Sequence, residues 1–355
     1  MLTASLLAYC RPGFEGDLAK ELQDKATSAE AYGFARTQNG SGFVLFECYQ
    51  SGDAQKLAKQ YSVQQLVFAR QMFVCDARLV SLNAQDRISP ILEACSNFPQ
   101  CSELRVEYPD TTEGRELSRF CRKFTVPLRQ ALRKSGTLSK KENSSENVFF
   151  AFFTQSDEVF LGYAEPGQIS PWPQGILRLK APPEAPSRSS LKLDEAIQVF
   201  LSKNEQQSRL QGGMQAVDLG ACPGGWTYQL VRRGLFVQAV DNGAMAQSLM
   251  ETGQVRYFAE DGFKFEPKKK NIHWLVCDMV EQPQKVARLM ASWLTKGWCQ
   301  EAIFNLKLPM KRRYESWQQA EREIAEVLHA TPYRLRAKHL YHDREEITLH
   351  LCGGR

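Results

Sequence analysis

The sequence predicts a two-part protein of mixed α/β architecture. After residue 190, strand-like and helix-like segments alternate strictly, which predicts a mostly parallel, doubly wound sheet. Before residue 165, a series of strand-like and helix-like segments predicts smaller α+β units. Residues 166–190 contain six prolines, and proline cannot continue a long helix or a central strand. We therefore expect an extended linker between the two parts.

The sequence of the first part predicts two α+β units, over residues 1–75 and 76–165. In the first unit, apolar or β-branched segments predict strands at 5–10, 42–48 and 67–74, and helical spacing predicts helices at 14–26 and 56–60. In the second unit, strands are predicted at 103–108 and within 148–163, around a helical stretch at 114–135. We expect Pro127 to interrupt that stretch, with a second helix that begins at Thr125.

In the second part, residues 191–355, the sequence pattern predicts seven strands. They are at 214–219, 235–241, 255–259, 272–278, 301–306, 334–340 and 346–352. Helical segments are predicted after the first strand as far as residue 233, and at 244–250, 282–295 and 314–329. Only about five residues join the last two strands, too few for a parallel crossover, so the last strand is expected to be antiparallel.

Composition excludes several classes of protein. The chain is 43% hydrophobic and 24% charged, the mix of an ordinary globular protein and not of a disordered or fibrous one. No apolar run approaches the roughly 18–20 residues of a membrane span, and the first residues lack the pattern of a signal peptide. Ten cysteines without a C-x-x-C pair indicate reduced thiols and no metal site. We expect a cytoplasmic protein without a membrane partner.

The basic residues are clustered, although the net charge is only +5. Residues 115–141 hold nine basic residues and one acid, and residues 264–270 and 307–313 hold four basic residues each. Such clusters indicate a polyanion that is contacted through its phosphates, as in nucleic acid. The candidate RNA-binding residues are Arg122, Lys123, Arg129, Arg133, Lys134, Lys311 and Arg312.

The strongest motif is DLGACPGGW, residues 218–226, at the end of the first strand of the α/β part. Its glycines let the backbone approach a ligand, and the following helix offers free N–H groups. The spacing differs from the G-x-G-x-x-G of dinucleotide sites and lacks the G-K-[ST] of a phosphate loop. The motif therefore predicts a cofactor turn of another kind.

Carboxylates mark the ends of four successive strands. Asp218 lies in the motif, Asp241 follows the second strand, Asp261 the third and Asp278 the fourth. In a doubly wound sheet these ends meet at one crevice, where the second acid holds ribose hydroxyls. We expect Asp261 to meet an adenine ring and Asp278 to lie beside the reacting atoms.

Lys307 ends the fifth strand in a mostly apolar setting. Desolvation lowers the pKa of a lysine, and a general base must lose its proton near the working pH. Lys192, just before the sheet, and Glu346, at the start of the last strand, reach the same crevice mouth. Glu345 is an alternative to Glu346 because it is adjacent.

These residues carry a resemblance to a known family. DLGACPGGWTYQL, with Asp278 and Lys307 downstream, resembles the FtsJ/RrmJ-like ribose 2′-O-methyltransferases, whose Lys-Asp-Lys-Glu tetrad corresponds to Lys192, Asp278, Lys307 and Glu346. Further segments, CRPGFE, GFAR, FCRKFTVPLR, APSRSSLKLDEA, DNGAMAQSLM and FNLKLPMK, are similar to the RlmM family of bacterial 23S ribosomal RNA cytidine 2′-O-methyltransferases.

The resemblance implies a Rossmann-like seven-stranded domain over residues 191–355, preceded by a ferredoxin-like unit and a THUMP RNA-binding domain over 76–165. It implies S-adenosylmethionine as cofactor, no metal, and Lys307 as the proton acceptor. The implied cofactor-binding residues are Ser189, Gly220, Cys222, Pro223, Gly224, Gly225, Trp226, Asp241, Asp261 and Asp278. We also expect a monomer that acts on 23S ribosomal RNA before subunit assembly is complete.

Two other interpretations stay open at this point. A non-catalytic RNA-binding assembly factor would account for the basic first half, but not for the turn or Lys307. An RNA base methyltransferase that modifies an amino group would be expected to carry an N/D-P-P-Y/F/W motif after the fourth strand, where this chain has Cys277-Asp278-Met279-Val280. Binding of S-adenosylmethionine to the pure protein separates the first alternative from an enzyme.

Overall fold

The computed structural model describes residues 5–141, 143 and 146–354. The chain divides into two compact units, Met1–Leu177 and Arg178–Arg355. Each unit is built on one sheet of seven strands, counted over the described residues. The predicted mixed α/β class is confirmed.

In the first unit, a single sheet has the order β2-β3-β1-β4-β7-β6-β5. Its strands are β1 (Ser5–Tyr9), β2 (Gly33–Thr37), β3 (Phe43–Cys48), β4 (Gln71–Leu79), β5 (Cys101–Glu107), β6 (Asn147–Gln155) and β7 (Glu158–Ala164). Its helices are α1 (Glu15–Ser28), α2 (Asp53–Gln60), α3 (Ile88–Ala94), α4 (Thr112–Glu116) and α5 (Ser118–Ser135). The sheet continues through both predicted α+β units, whose separate boundaries stay predictions.

Strand β6 shows how the sequence fills this unit on both faces of the sheet. Because successive side chains of a strand point to opposite faces, Phe149 and Phe153 pack into one apolar cluster, and Phe150 and Phe152 into another. All four are fully buried. A strand that is buried on both faces needs apolar side chains at successive positions, and this segment has such a continuous apolar run.

Helix α5 corrects one prediction. It runs without a break from Ser118 to Ser135 and contains Pro127, so no second helix begins at Thr125. Cys121, Leu128 and Leu132 are buried along one side of the helix, before and after the proline. This stripe packs continuously against the core, and it outweighs the local cost of the proline. The Thr125 hydroxyl donates to the Cys121 carbonyl at 2.7 Å and does not act as a cap.

The predicted linker is not uniformly extended. Residues as far as Leu177 belong to the first unit. The Gln71 side chain donates to the Ser170 carbonyl at 3.1 Å and accepts from its N–H at 3.0 Å, and Ile169 is buried in the core. Ser190 is the first residue of a helix in the second unit.

The second unit has the strand order β10-β9-β8-β11-β12-β14-β13. Its strands are β8 (Gln215–Leu219), β9 (Phe236–Val240), β10 (Val255–Phe258), β11 (Ile272–Cys277), β12 (Cys299–Lys307), β13 (Tyr333–Lys338) and β14 (Glu346–Gly353). Its helices are α6 (Ser190–Phe200), α7 (Lys203–Arg209), α8 (Gly225–Val231), α9 (Gln247–Met250), α10 (Pro283–Thr295) and α11 (Arg313–Val327).

Strands β8 to β12 are parallel, and β14 is antiparallel to both of its neighbours, β12 and β13. The seven predicted strands and the antiparallel last strand are therefore confirmed. The order reverses at β8, whose neighbours are β9 and β11. Ligands bind at such a switch point, outside the carboxyl ends of the strands.

None of the helices in the described ranges is long and apolar enough to cross a membrane. The ten cysteines are all free, and nine of them are buried.

Candidate active site

The turn after β8 has a backbone that only glycine accommodates easily. Gly220 and Gly224 have positive φ angles of 77° and 117°. A Cβ on Gly225 would lie 2.2 Å from the Ser189 hydroxyl oxygen. The turn is therefore closed tightly against the residues that lead into α6, and Ser189 lies beside it.

Asp241, which follows β9, holds this turn in place. Its carboxylate accepts from the N–H of Cys222 at 2.8 Å, of Asn242 at 2.6 Å and of Gly243 at 3.0 Å. The Tyr257 hydroxyl donates to the Asp241 carbonyl at 2.8 Å. The residue is partly exposed, and its carboxylate oxygens have lone pairs left for hydrogen bonds from a ligand.

Asp218 lies beneath the turn and is completely buried. One of its oxygens accepts from the Thr227 hydroxyl at 2.7 Å, and the other is buried with no hydrogen-bond partner among the described residues. Burial, opposed by the Thr227 hydrogen bond and reinforced by the charge of Asp278, raises the pKa of Asp218 to about 7. An unpartnered buried carboxylate oxygen suits a ligand that brings a positive charge or a donor to this turn.

Met279 lies against both Gly220 and Gly262, and the sequence analysis did not identify it as a site residue. A Cβ on Gly220 would lie 2.6 Å from its Cγ, and a Cβ on Gly262 would lie 2.8 Å from its sulfur. Asp261 is exposed and accepts from the N–H of Phe263 at 2.9 Å. The sequence signal for Met279 was its position directly after Asp278.

Four charged side chains meet at the carboxyl ends of β11 and β12. The Lys307 ammonium nitrogen lies 2.5 Å from Asp278 Oδ1 and 3.9 Å from Glu346 Oε1. Lys192 Nζ lies 3.3 Å from Asp278 Oδ2 and also forms an ion pair with Glu346. The two lysines and two acids that the sequence singled out are therefore one cluster.

Strand register explains this cluster. Lys307, the last residue of β12, pairs directly with Glu346, the first residue of β14. Glu345 points elsewhere and accepts from the Arg313 guanidinium at 2.7 Å. Geometry thus places Glu346, and not Glu345, beside the lysines.

The two lysines differ in their surroundings. Burial disfavours the charged form of Lys192, but the charge of Asp278 and the hydrogen bond and charge of Glu346 outweigh it, so the pKa of Lys192 is raised. Its side chain is 15% exposed, against 22% for Lys307. The two acids therefore hold Lys192 as a cation.

Beside Lys307 lies an open groove of about 510 Å³. It is lined by residues of the loops that follow β11 and β12 and of the first turns of α10 and α11, including Lys311 and Arg312. Lys311 and Arg312 are exposed. Val280 and Met310, on the same two loops, are the most exposed of the large apolar side chains in the described ranges, at 87% and 78%.

The remaining predicted RNA-binding residues lie on α5 of the first unit. Arg122, Lys123, Arg133 and Lys134 are exposed, and Arg129 is partly buried. Arg122, Arg129 and Arg133 are spaced seven and four residues apart and share one face of the helix. That face differs from the buried side, which holds Leu128 and Leu132.

The arrangement in the second unit is that of a cofactor turn next to a paired lysine and carboxylate. The glycine cradle, the clamp by Asp241 and the unpartnered oxygen of Asp218 fit a cofactor with a ribose and a positively charged group. Among the described residues no group of three His, Cys, Asp or Glu side chains is placed to hold a metal ion.

Comparisons with known proteins agree with this class of site. Residues 185–304 match the FtsJ-like methyltransferase family, residues 3–73 the RlmM ferredoxin-like domain, and residues 86–165 the N-terminal domain of ribosomal RNA large subunit methyltransferase M. The second unit thus contains an FtsJ-like methyltransferase domain, and S-adenosylmethionine is its cofactor.

Whole-chain relatives identify the family. The chain is 57% identical over 351 residues to ribosomal RNA large subunit methyltransferase M of Pseudoalteromonas atlantica, covering 98% of this chain and 99% of the relative. It is 55% identical to the Psychromonas ingrahamii protein of the same name, covering 98% and 95%. The chain belongs to the ribosomal RNA large subunit methyltransferase M family, and it is an rRNA methyltransferase.

Among solved structures, TrmN from Thermus thermophilus is similar at 15% identity and a TM-score of 0.35, covering 99% of this chain and 100% of that chain. A likeness at this level supports no detail of the site.

Proposed function

We propose that the chain transfers a methyl group to the 2′-hydroxyl of a cytidine ribose in 23S ribosomal RNA. The observation that carries the proposal is the contact of Lys307 with Asp278, next to Lys192 and Glu346 and at the same sheet edge as the cofactor turn. A ribose hydroxyl is a very weak acid, so a neighbouring base is required. A base methyltransferase has no evident use for this cluster.

S-adenosylmethionine supplies an electrophilic methyl group on a positively charged sulfur. In the proposal Asp241 binds the ribose hydroxyls of the cofactor, Asp261 contacts the adenine, and Asp278 lies beside the methyl group. The turn residues and Ser189 line the same cradle. These residues are Gly220, Cys222, Pro223, Gly224, Gly225 and Trp226. Because Asp241 also holds three backbone N–H groups, cofactor affinity and the shape of the turn are coupled.

The two lysines divide the work. Lys307 accepts the hydroxyl proton in its neutral form, and Asp278 fixes its position through the 2.5 Å contact. Lys192 stays charged, because its pKa is raised, and it keeps Asp278 and Glu346 paired while Lys307 is neutral. Glu346 also helps to place the ribose. The alignment of the 2′-oxygen with the methyl group is the other contribution of the site.

In the proposal the RNA lies in the groove beside Lys307. Exposed Lys311 and Arg312 suit phosphates next to the reacting ribose, and exposed Val280 and Met310 suit the face of an unstacked base. On the first unit, the basic face of α5 suits the backbone of a structured RNA. This helix lies in the segment 76–165, for which we propose a THUMP-type RNA-binding role.

We further propose that the protein acts in the cytoplasm as a monomer, on 23S RNA before subunit assembly is complete. The four charged side chains are only 8–22% exposed, so a ribose must leave its neighbours to reach them, and this supports RNA that is not yet covered by ribosomal proteins.

The test identifies the product. The purified protein is incubated with S-adenosylmethionine that carries a labelled methyl group and with 23S RNA from a strain that lacks the enzyme. Mass spectrometry of the nucleosides is expected to find the label on the ribose of cytidine, and Lys307→Met is expected to give none. A label on a base would contradict the proposal.

A further inference from the structure

A second row of polar side chains lies behind the four charged residues. Asn305 of β12 pairs directly with Thr348 of β14, two residues along each strand from the pair Lys307 and Glu346. Because side chains two residues apart on a strand share a face, both pairs face the same side of the sheet. Asn305, Thr348 and the nearby Asp343 are each completely buried.

These three residues form a chain of hydrogen bonds that ends at Asp278. The Asn305 amide nitrogen donates to Asp278 Oδ1 at 3.1 Å, the same oxygen that Lys307 contacts. The Thr348 hydroxyl lies 2.7 Å from the Asn305 amide oxygen. It also lies 3.0 Å and 2.9 Å from the two oxygens of Asp343.

The number of available protons decides which group donates in each of these hydrogen bonds. A carboxylate at Asp278 can only accept, so Asn305 presents its N–H₂ to Asp278 and its oxygen to Thr348. The Thr348 hydroxyl has one proton, and both Asn305 and Asp343 present oxygens to it. If Thr348 donates to Asn305, then its contact with Asp343 needs a proton on Asp343. If Thr348 donates to Asp343 instead, the buried Asn305 oxygen faces a second oxygen at 2.7 Å without a proton between them.

We propose that Asp343 is a protonated carboxylic acid that donates to Thr348, so that Thr348 donates to Asn305 and Asn305 fixes the Asp278 oxygen that holds Lys307. Asp343, Thr348 and Asn305 are then positioning residues for methyl transfer, a role that rests on the function proposed above for Lys307 and Asp278.

The surroundings of Asp343 support the neutral form. Burial, together with the charges of Glu346 on β14 and Glu195 on α6, raises its pKa well above the usual range, against hydrogen bonds from the Leu340 N–H and Thr348. Lys192 of α6, a cation on this side, contacts Asp278 and Glu346, and the charge of Asp343 also acts on it. An ionised Asp343 would add a further negative charge beside Glu346 and Glu195.

The proton on Asp343 can be observed directly. An infrared difference spectrum between the wild-type protein and Asp343→Asn, at mildly alkaline pH and without cofactor or RNA, is expected to show the carbonyl stretch of one protonated carboxylic acid in the wild type. A carboxylate band in its place would overturn the proposal. This measurement does not depend on activity, so it stands even if the methyl group were found on a base.

The positioning role is tested by single-turnover methyl transfer to 23S RNA at saturating cofactor. Asp343→Asn keeps a neutral donor, and the expected rate is within about threefold of wild type. Thr348→Val removes the hydroxyl and is expected to lower the rate about 10- to 100-fold, and Thr348→Ser is expected to restore it. Cofactor affinity measured by calorimetry is expected to stay the same in all three.

Two results would contradict this role. One is a loss of about tenfold or more in Asp343→Asn, which would mean that the charged form is needed. The other is a wild-type rate in Thr348→Val. If Thr348→Val does not fold, a wild-type rate in Thr348→Ser together with the infrared band still supports the chain of hydrogen bonds, and a missing band still overturns it.

Discussion

Lys307 and Lys192 contact the same carboxylate, but of the two only Lys307 lines the groove. For this reason we expect Lys307→Ala to lower the single-turnover rate by about 10²–10⁴-fold, the usual contribution of a general base. The variant is expected to bind S-adenosylmethionine as tightly as the wild type, since Lys307 lines the groove that we propose for the RNA. Quench-flow methyl transfer and calorimetry measure the two quantities.

Lys307→Arg serves as the control for charge. A guanidinium does not lose its proton in proteins, so this variant is expected to be as inactive as Lys307→Ala. In the wild type the rate should rise with pH to a plateau. Near-normal turnover by Lys307→Arg, or a flat pH profile, would mean that Lys307 acts only through a permanent charge.

Asp218 makes stability depend on pH in the ligand-free protein. Its pKa is raised to about 7, so the folded protein holds this proton more tightly than the unfolded chain does. Its contribution to the free energy of unfolding is therefore full at acidic pH, below the pKa of the unfolded chain, and declines as the pH rises towards 7. At about 1.4 kcal/mol per pKa unit, the decline is on the order of a few kcal/mol.

We expect Asp218→Asn to remove most of this decline. Urea unfolding of both proteins at about pH 5 and about pH 8 measures it. The difference between the two pH values should be larger for the wild type. Equal pH dependence in both proteins would show that the Asp218 carboxyl is not the responsible group.

At the scale of elements, strand periodicity predicted the second unit well because its strands are buried and separated by helices. The same pattern placed Lys307 and Glu346 at strand ends, and register then brought them together. Asn305 and Thr348 were missed because a polar residue inside a strand reads as an interruption of the apolar pattern. Only the pairing of β12 with β14, which local sequence does not encode, shows that they face each other.

The first unit was predicted less completely, and the reasons are physical. Strand β2 lies at the edge of the sheet and is half exposed, so its alternation is weak. Pro127 predicted a break that tertiary packing of Leu128 and Leu132 overrides. The continuity of one sheet through seven strands depends on pairings between distant segments, such as β4 with β7.

Helix α5 is expected to contact RNA through phosphates. Lys123→Glu should weaken binding of all structured RNAs alike and reduce the slope of log affinity against log salt by about one for each phosphate that the protein no longer neutralises. Lys59→Glu is a matched control, because Lys59 is also an exposed lysine on a helix of the first unit. Filter binding over a range of salt measures both. Equal effects of the two substitutions would remove α5 from the RNA interface.

At the scale of the whole molecule, we expect the two units to have separable tasks. A fragment that begins at Arg178 contains the complete cluster and the cofactor turn. We expect it to bind S-adenosylmethionine normally, and to methylate 23S RNA with a kcat/KM about 10- to 100-fold lower, because the first unit no longer holds the RNA by its phosphates. Calorimetry and methyl transfer at limiting RNA test the two parts. Full activity of the fragment would refute the role of the first unit.

The position of β14 between β12 and β13 has a consequence for biosynthesis. Strand β14 is translated after all the other strands of its sheet. It nevertheless lies inside the sheet, where it brings Glu346 to Lys307 and Lys192. A nascent chain can therefore complete its first sheet while the second still lacks an inner strand. Because Glu346 belongs to the proposed catalytic cluster, we expect a chain in which β14 has not yet entered the sheet to be unable to methylate RNA.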